Sequence, residues 1–247
     1  GEVLQMENIT EILKTHDYDF LRDNPMFGSN IMMLAVSGSR SYDTATDTLD
    51  LDIRGVSLDL ADDMLMLAKS RNISHKHTDT HIFQFNSFLD LLTKGQPNTI
   101  ELFGLKDEHY LYRNDVWKML EDKKEIFLSQ HILHRIKGYA DSEFGKYKNI
   151  EDEHKRHKSQ MHIIRLYAFG IEIASGNIIT YREKEHDLLM DIRNGKFDDT
   201  TYDALVNEWK AKLIDAEAHT ILPYDPNVEE INTLRKKINK RIICNCV

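Results

Sequence analysis

From Leu49 to Val56 apolar and polar residues alternate, with Leu49, Leu51 and Ile53 on one side and Asp50, Asp52 and Arg54 on the other. A period of two argues for a strand with one buried and one wet face. The wet face carries two carboxylates two residues apart, so both project the same way. Such a strand needs partners, and the neighbouring sequence supplies two. Ile31 to Val36 is a short apolar run stopped by Ser37-Gly38-Ser39, which reads as a buried strand. Thr78 to Phe85 sets Asp79, His81, Phe83 and Phe85 on one face of a third. Asn86 can then cap a helix to about Lys94, which Gly95-Gln96-Pro97-Asn98 breaks.

Beyond about residue 114 the period changes to that of helices. Asn114 opens one towards Phe127, and Ser129 caps another to about Phe144. Lys146 to Lys158 is a charged connection that leads into a long helix ending near Ala174 at Gly176. Gly195 follows a further helix, Asp198 opens the next to about His219, and Asp225-Pro226 signals the start of a last one. The fold class expected is α+β: a small mixed-sheet domain over residues 1–115, then an all-helical domain over 116–247.

Charge limits the partners. The 247 residues hold 32 Lys plus Arg against 41 Asp plus Glu, a formal net charge of -9, which disfavours broad coating of nucleic acid. No apolar run reaches the roughly 18 residues of a membrane span, and the N-terminus lacks a signal-peptide layout. A cytoplasmic protein with no membrane partner is expected. Cys244 and Cys246 sit together near the C-terminus, too few and too close for a disulfide framework, and read as a reduced tail.

The chemistry lies in Gly38-Ser39 followed by Asp50-x-Asp52. A strand ending in Gly-Ser lets backbone approach a phosphate closely, and the Ser39 hydroxyl can add a donor. Two aspartates on one strand face can hold divalent cations, Mg²⁺ or Mn²⁺, at the phosphates of an NTP. A third carboxylate is expected on a neighbouring strand, and Asp79 fits. Either piece alone is commonly a turn or a solvated face; their conjunction points to nucleotidyl transfer.

Gly38-Ser39-Arg40-Ser41-Tyr42 through Thr46, with Asp50-Leu51-Asp52-Ile53-Arg54-Gly55-Val56, resembles the predicted nucleotidyltransferases of the DNA polymerase β superfamily, in the branch with RNA-repair-associated and phage-encoded members. Gly95-Gln96-Pro97-Asn98-Thr99-Ile100-Glu101-Leu102 is similar to a second segment of that branch, with Gln96 in place of the usual asparagine. Lys158-x-x-x-His162-x-x-Arg165-Leu166, Ile192 to Lys196 and Leu222-Pro223 are similar to its C-terminal markers. Asp43 stands where many members carry glycine. The resemblance implies a polymerase-β-like catalytic domain and a helical domain that closes the nucleotide cleft, in a bacterial or phage-infected cell. Asp50, Asp52 and Asp79 would then be catalytic metal ligands, and Gly38, Ser39 and Arg40 would hold the nucleotide.

Lys158, His162 and Arg165 also stack at helical spacing beside the apolar stripe Met161, Ile164, Ala168 and Ile171. That helix is expected to face both a core and the NTP phosphates, with these three residues binding nucleotide; a row snorkelling over the core is the alternative. The acceptor implied by the resemblance is an RNA 3′ end, touched over a short length. Transfer to a protein hydroxyl and a non-catalytic nucleotide-binding module remain open beside it. Neither the base of the NTP nor the oligomeric state is legible.

His75, His77 and His81, and the pair His154 and His157, lack the spacing of a structural zinc site. The basic run Leu234 to Arg241 reads as a solvated helix face or, alternatively, as a local contact to a nucleic-acid backbone.

Overall fold

A computed structural model describes residues 9, 11–45 and 51–244. The strands are β1 (Ile31–Val36), β2 (Ile53–Ser57), β3 (Asn72–His75), β4 (Thr80–Gln84) and β5 (Tyr110–Arg113). They form one sheet in the order β3-β4-β2-β1-β5. β1 is antiparallel to β2 and β5, β3 is antiparallel to β4, and β2 and β4 run parallel. The sheet is therefore mixed. Its helices are α1 (Gly38–Ser41), α2 (Phe85–Thr93), α3 (Asp115–Glu121), α4 (Gln130–Phe144), α5 (Glu153–Ala174), α6 (His186–Arg193), α7 (Asp199–Ala218) and α8 (Val228–Ile243), with short turns of helix at Phe20–Asp23, Ala61–Leu65 and Pro97–Ile100.

The chain divides into two compact units. One comprises Gly1–Thr93, Leu105–Ile126 and Asn227–Val247; the other comprises Lys94–Gly104 and Phe127–Pro226. A single boundary near residue 115 is expected from the change in period. The contacts instead give a division in which α8 belongs with the sheet and the Pro97–Ile100 turn with the helices.

In the first unit, one sheet face is covered by the N-terminal segment: Tyr18, Leu21 and Phe27 pack with Ile31, Val36, Ile53 and Ile82 in one buried cluster. The other side is aromatic, with Phe83 5.6 Å from Phe88 and Phe88 5.9 Å from Trp117 between ring centres. Trp117 is fixed because Asn114 caps α3, its side chain accepting from the Trp117 N–H at 2.9 Å. Helix α8 buries Ile231, Leu234, Ile238 and Ile242 at spacings of three and four. Its basic residues are partly committed within the unit: Arg235 pairs with Asp90 at 2.6 Å and Arg241 with Asp115 at 2.9 Å. Asn86 and Asn239 exchange side-chain hydrogen bonds of 3.1 and 3.0 Å. Asn227 is the cap, accepting from the Glu230 N–H, so α8 starts two residues past the Asp225-Pro226 signal.

In the second unit α5 is the centre and packs on α4, α6 and α7. From Gln160 to Gly170 only His162 escapes full burial, so this stretch is enclosed on nearly all sides. Asp152 caps α5 through the Lys155 N–H at 2.9 Å, and Asp198 caps α7 through that of Thr201 at 2.7 Å. Leu222 and Pro223 tie down the start of α4: their carbonyls accept from the Gln130 side chain and backbone at 3.0 and 2.9 Å.

Candidate active site

β1 ends at Val36 opposite Ile53, and the Ser37 N–H donates to the Asp52 carbonyl at 2.8 Å. The turn of α1 therefore begins beside Asp52. Gly38 has φ +64°, and a Cβ built on it would lie 2.5 Å from Asp52 Oδ2. Only glycine satisfies both the left-handed backbone and the contact. Ser39 and Arg40 follow within α1 and are half-buried. The loop closes on itself, with the Ser39 carbonyl accepting from the Thr44 N–H at 2.9 Å and the Gly38 carbonyl from the Ser41 hydroxyl at 2.8 Å. Asp43 lies in the left-handed region at φ +60°, and its carboxylate pairs with Lys106 at 3.1 Å. That backbone explains why glycine suits the position and why an aspartate, one of the residues that tolerates it, can replace glycine.

Parallel pairing brings Asp79 to the same end. Ile53 lies opposite Thr80, and the Ile53 N–H donates to the Asp79 carbonyl at 3.1 Å. Asp79 sits at φ +45° just before β4. Arg54 joins the two aspartates: its Nη1 pairs with the Asp52 carboxylate, donates to the Asp79 carbonyl at 3.2 Å and lies 3.8 Å from Asp79 Oδ1. The Asp79 side chain is 65% exposed against 23% for Asp52, so one carboxylate faces solvent and the other is set into the turn. Asp50 lies outside the described residues. Among the described residues, no group of three or more His, Cys, Asp or Glu side chains is placed to hold a metal ion; Asp52 and Asp79 meet instead around one cation, the Arg54 guanidinium.

His81 is paired across the strands with Arg54. Burial, then the Arg54 charge, lowers its pKa, and its Nδ1 is 2.7 Å from the Ser74 hydroxyl. His75 stacks on Phe20 at 4.1 Å and shares a hydrogen bond of 2.9 Å with the Thr78 hydroxyl; His77 lies 3.4 Å from Asp17.

The basic row of α5 belongs to the other unit and is graded by burial. Lys158 is exposed, His162 partly buried and Arg165 fully buried. Arg165 Nη1 pairs with Glu101 at 2.5 Å, while its Nε and Nη2 lie 3.4 and 3.3 Å from His162 Nδ1. An arginine has no acceptor, so His162 Nδ1 accepts and its proton is on Nε2. Burial, then the Arg165 and Lys158 charges, lowers the His162 pKa to about 3, and the ring is neutral at ordinary pH. Two sequence segments thus prove to be one construction: Glu101, from the Gln96 to Leu102 stretch, pairs with the arginine of the α5 row. Its carbonyl accepts from the Thr180 hydroxyl at 2.6 Å, and Gln96 accepts from the Tyr139 hydroxyl at 2.8 Å.

Sequence reasoning did not find Glu101 as the partner of Arg165, nor Arg54 as the link between carboxylates. Arg54 was within reach of it, because it shares the wet face of the alternating strand. Glu101 was not, because 64 residues separate it from Arg165.

A small mixed sheet whose central strands bring a Gly-Ser turn and aspartates to one end, with a helical unit beside it in the chain, defines a polymerase-β-like nucleotidyltransferase fold. The chain belongs to the RNA repair pathway DNA polymerase beta family (RlaP), whose model matches residues 4–236. That family places it with the polymerase-β-like nucleotidyltransferases of an RNA repair pathway. No curated protein and no solved structure matches it significantly. Among the described residues, no helix is long and apolar enough to cross a membrane.

Proposed function

We propose that the chain transfers NMP from an NTP to the terminal hydroxyl of an RNA 3′ end and releases pyrophosphate. The observation that carries this reading is the gathering of Gly38, Asp52 and Asp79 at one sheet end around Arg54. In the reaction the hydroxyl oxygen bonds to the α-phosphorus, the bond from that phosphorus to the β-phosphate bridging oxygen breaks, and the hydroxyl proton is lost. Asp52, with Asp79 and Asp50, would hold Mg²⁺ or Mn²⁺. The bound cation would offset charge on the phosphates and lower the pKa of the attacking hydroxyl.

The protein's own contribution is placement. Gly38 keeps the turn low enough for a phosphate to approach Asp52, and Ser39 and Arg40 offer donors from the same turn. In the second unit, Lys158 offers positive charge and His162 a neutral Nε2–H donor, both suited to phosphate oxygens. Arg165 acts through His162, holding its tautomer, while Glu101 holds Arg165. This differs from a row of three cations at the nucleotide: burial turns the inner two into a donor and its support.

The test is incorporation of label from each α-labelled NTP with Mg²⁺, using total RNA and total protein as separate acceptors. RNA should be labelled at its 3′ end, and Asp52→Ala should label nothing. Label in protein alone would replace the acceptor, and incorporation by Asp52→Ala would sink the reading.

A further inference from the structure

Along helix α4 the charged side chains meet partners of opposite sign, with one exception. His131 lies 2.8 Å from Asp225, His134 and Lys137 lie 3.0 and 2.8 Å from Glu217, Asp141 lies 2.9 Å from Lys210, and Glu143 lies 3.8 Å from Lys146. Arg135 is the exception among the described residues: its Nε donates to the Lys94 carbonyl at 2.5 Å, and no acid pairs with it. Lys94 is exposed and also pairs with no described acid. Aromatic rings flank these two cations. One turn on, Tyr139 is exposed, with its hydroxyl donating to Gln96 Oε1 at 2.8 Å. One turn back, His131 lies against the exposed ring of Tyr224, 5.1 Å between centres. Gly138 is on the same face as Arg135, three residues on. Glycine is costly in a helix interior, yet a Cβ there would meet nothing within 4 Å. No packing within the protein accounts for it. All these residues belong to the second unit.

We propose that this face of α4, with Lys94 and Tyr224, binds single-stranded RNA, with bases stacked on Tyr224 and Tyr139 and the intervening phosphates on Arg135 and Lys94. The choice of RNA rests on the nucleotidyl-transfer reading above. Ring, cation, ring along the helix, at about 6 Å per four-residue step, follows the order base, phosphate, base along a strand. Asp225 fixes what each part takes. Its carboxylate beside the Tyr224 end opposes a phosphate there and leaves that end to a base. At Gly138 the missing side chain lets the sugar–phosphate backbone lie close to the helix. Two cations make a short contact, which suits a chain of net charge -9.

The test is fluorescence anisotropy of the full chain with a short 5′-fluorescein single-stranded RNA, without NTP or divalent cation, between roughly 50 and 200 mM salt. Tyr224→Ala should weaken binding about tenfold, and Arg135→Gln should flatten the salt dependence by about one unit of log–log slope. Gly138→Gln separates a binding role from a structural one. It should raise the melting midpoint, because the helix gains a better former with room for it, and still weaken RNA binding. A duplex RNA of the same sequence keeps its bases stacked internally, so its binding should not respond to Tyr224→Ala. Unchanged RNA affinity in both Tyr224→Ala and Gly138→Gln overturns the site, as does an unmodified chain that binds no RNA. An equal loss for the duplex overturns the stacking. Because no catalysis is read, a failure of transfer chemistry would leave this result standing.

Discussion

The sheet end and the α5 row hold charged groups by opposite means. At the sheet end, backbone register does the placing: Ser37 to Asp52 and Ile53 to Asp79 are main-chain bonds, and the carboxylates follow from them. On α5 the spacing is equally regular, but burial decides what each residue becomes. Lys158 is exposed, His162 is neutral, and Arg165 is a buried half of an ion pair. Strand register therefore fixes which side chains meet, whereas helical spacing leaves that to the environment.

That contrast can be broken most directly at the carboxylates. Asp52→Asn is expected to reduce NMP transfer by about a thousandfold or more with the unfolding midpoint unchanged, and Asp79→Asn by less, since Asp79 is the more exposed. Equal effects in single-turnover assays would show that burial does not rank the two. Next is the inner end of the α5 row. Glu101→Ala leaves Arg165 buried without its carboxylate and should cost about 3–5 kcal/mol in urea unfolding. Replacing both residues with methionine should recover most of that; no recovery would mean that the pair does more than neutralise itself.

Gly38→Ala tests register against side chain. The left-handed backbone alone costs about 1–2 kcal/mol, and the new methyl collides with Asp52. Transfer should fall further than stability, which paired melting and activity curves would reveal. The smallest effect concerns pH. A His162 pKa lowered from 6.5 to about 3 means the unfolded chain binds the proton more readily. The contribution is complete above 6.5 and declines as pH falls towards 3. His162→Gln should flatten that part of the stability–pH curve; an unaltered slope would assign the decline to other groups.

How much of this was legible follows from the same contrast. Ile31–Val36 is a strand as its apolar run predicts, and Asn114 and Asp198 cap their helices, whereas Ser129 holds the N-cap position of α4 without a side-chain capping bond. β4 and α2 agree within two residues with the expected strand and helix. β3 escaped notice because only Ile73 in Asn72–His75 is apolar, and an edge strand in solvent has no alternation to show. β5 was hidden for a related reason, with three long polar or aromatic side chains in four residues. At the candidate site, Gly38 and Asp52 were readable because chain proximity brings them together, although β2 begins at Ile53 and Asp52 lies just before it rather than within the expected strand. The roles of His162 and Arg165 were not, because Glu101 reaches them only through the fold.

The chain crosses between its two units at 93/94, 104/105, 126/127 and 226/227. A ribosome therefore finishes the whole second unit before it delivers α8, the helix whose Ile231, Leu234, Ile238 and Ile242 complete the first. Until then the sheet is synthesised but its packing is incomplete. The last helix thus acts as a timing element: a transcript truncated just before Asn227 would encode every carboxylate of the candidate site and still lack the segment needed to finish its scaffold.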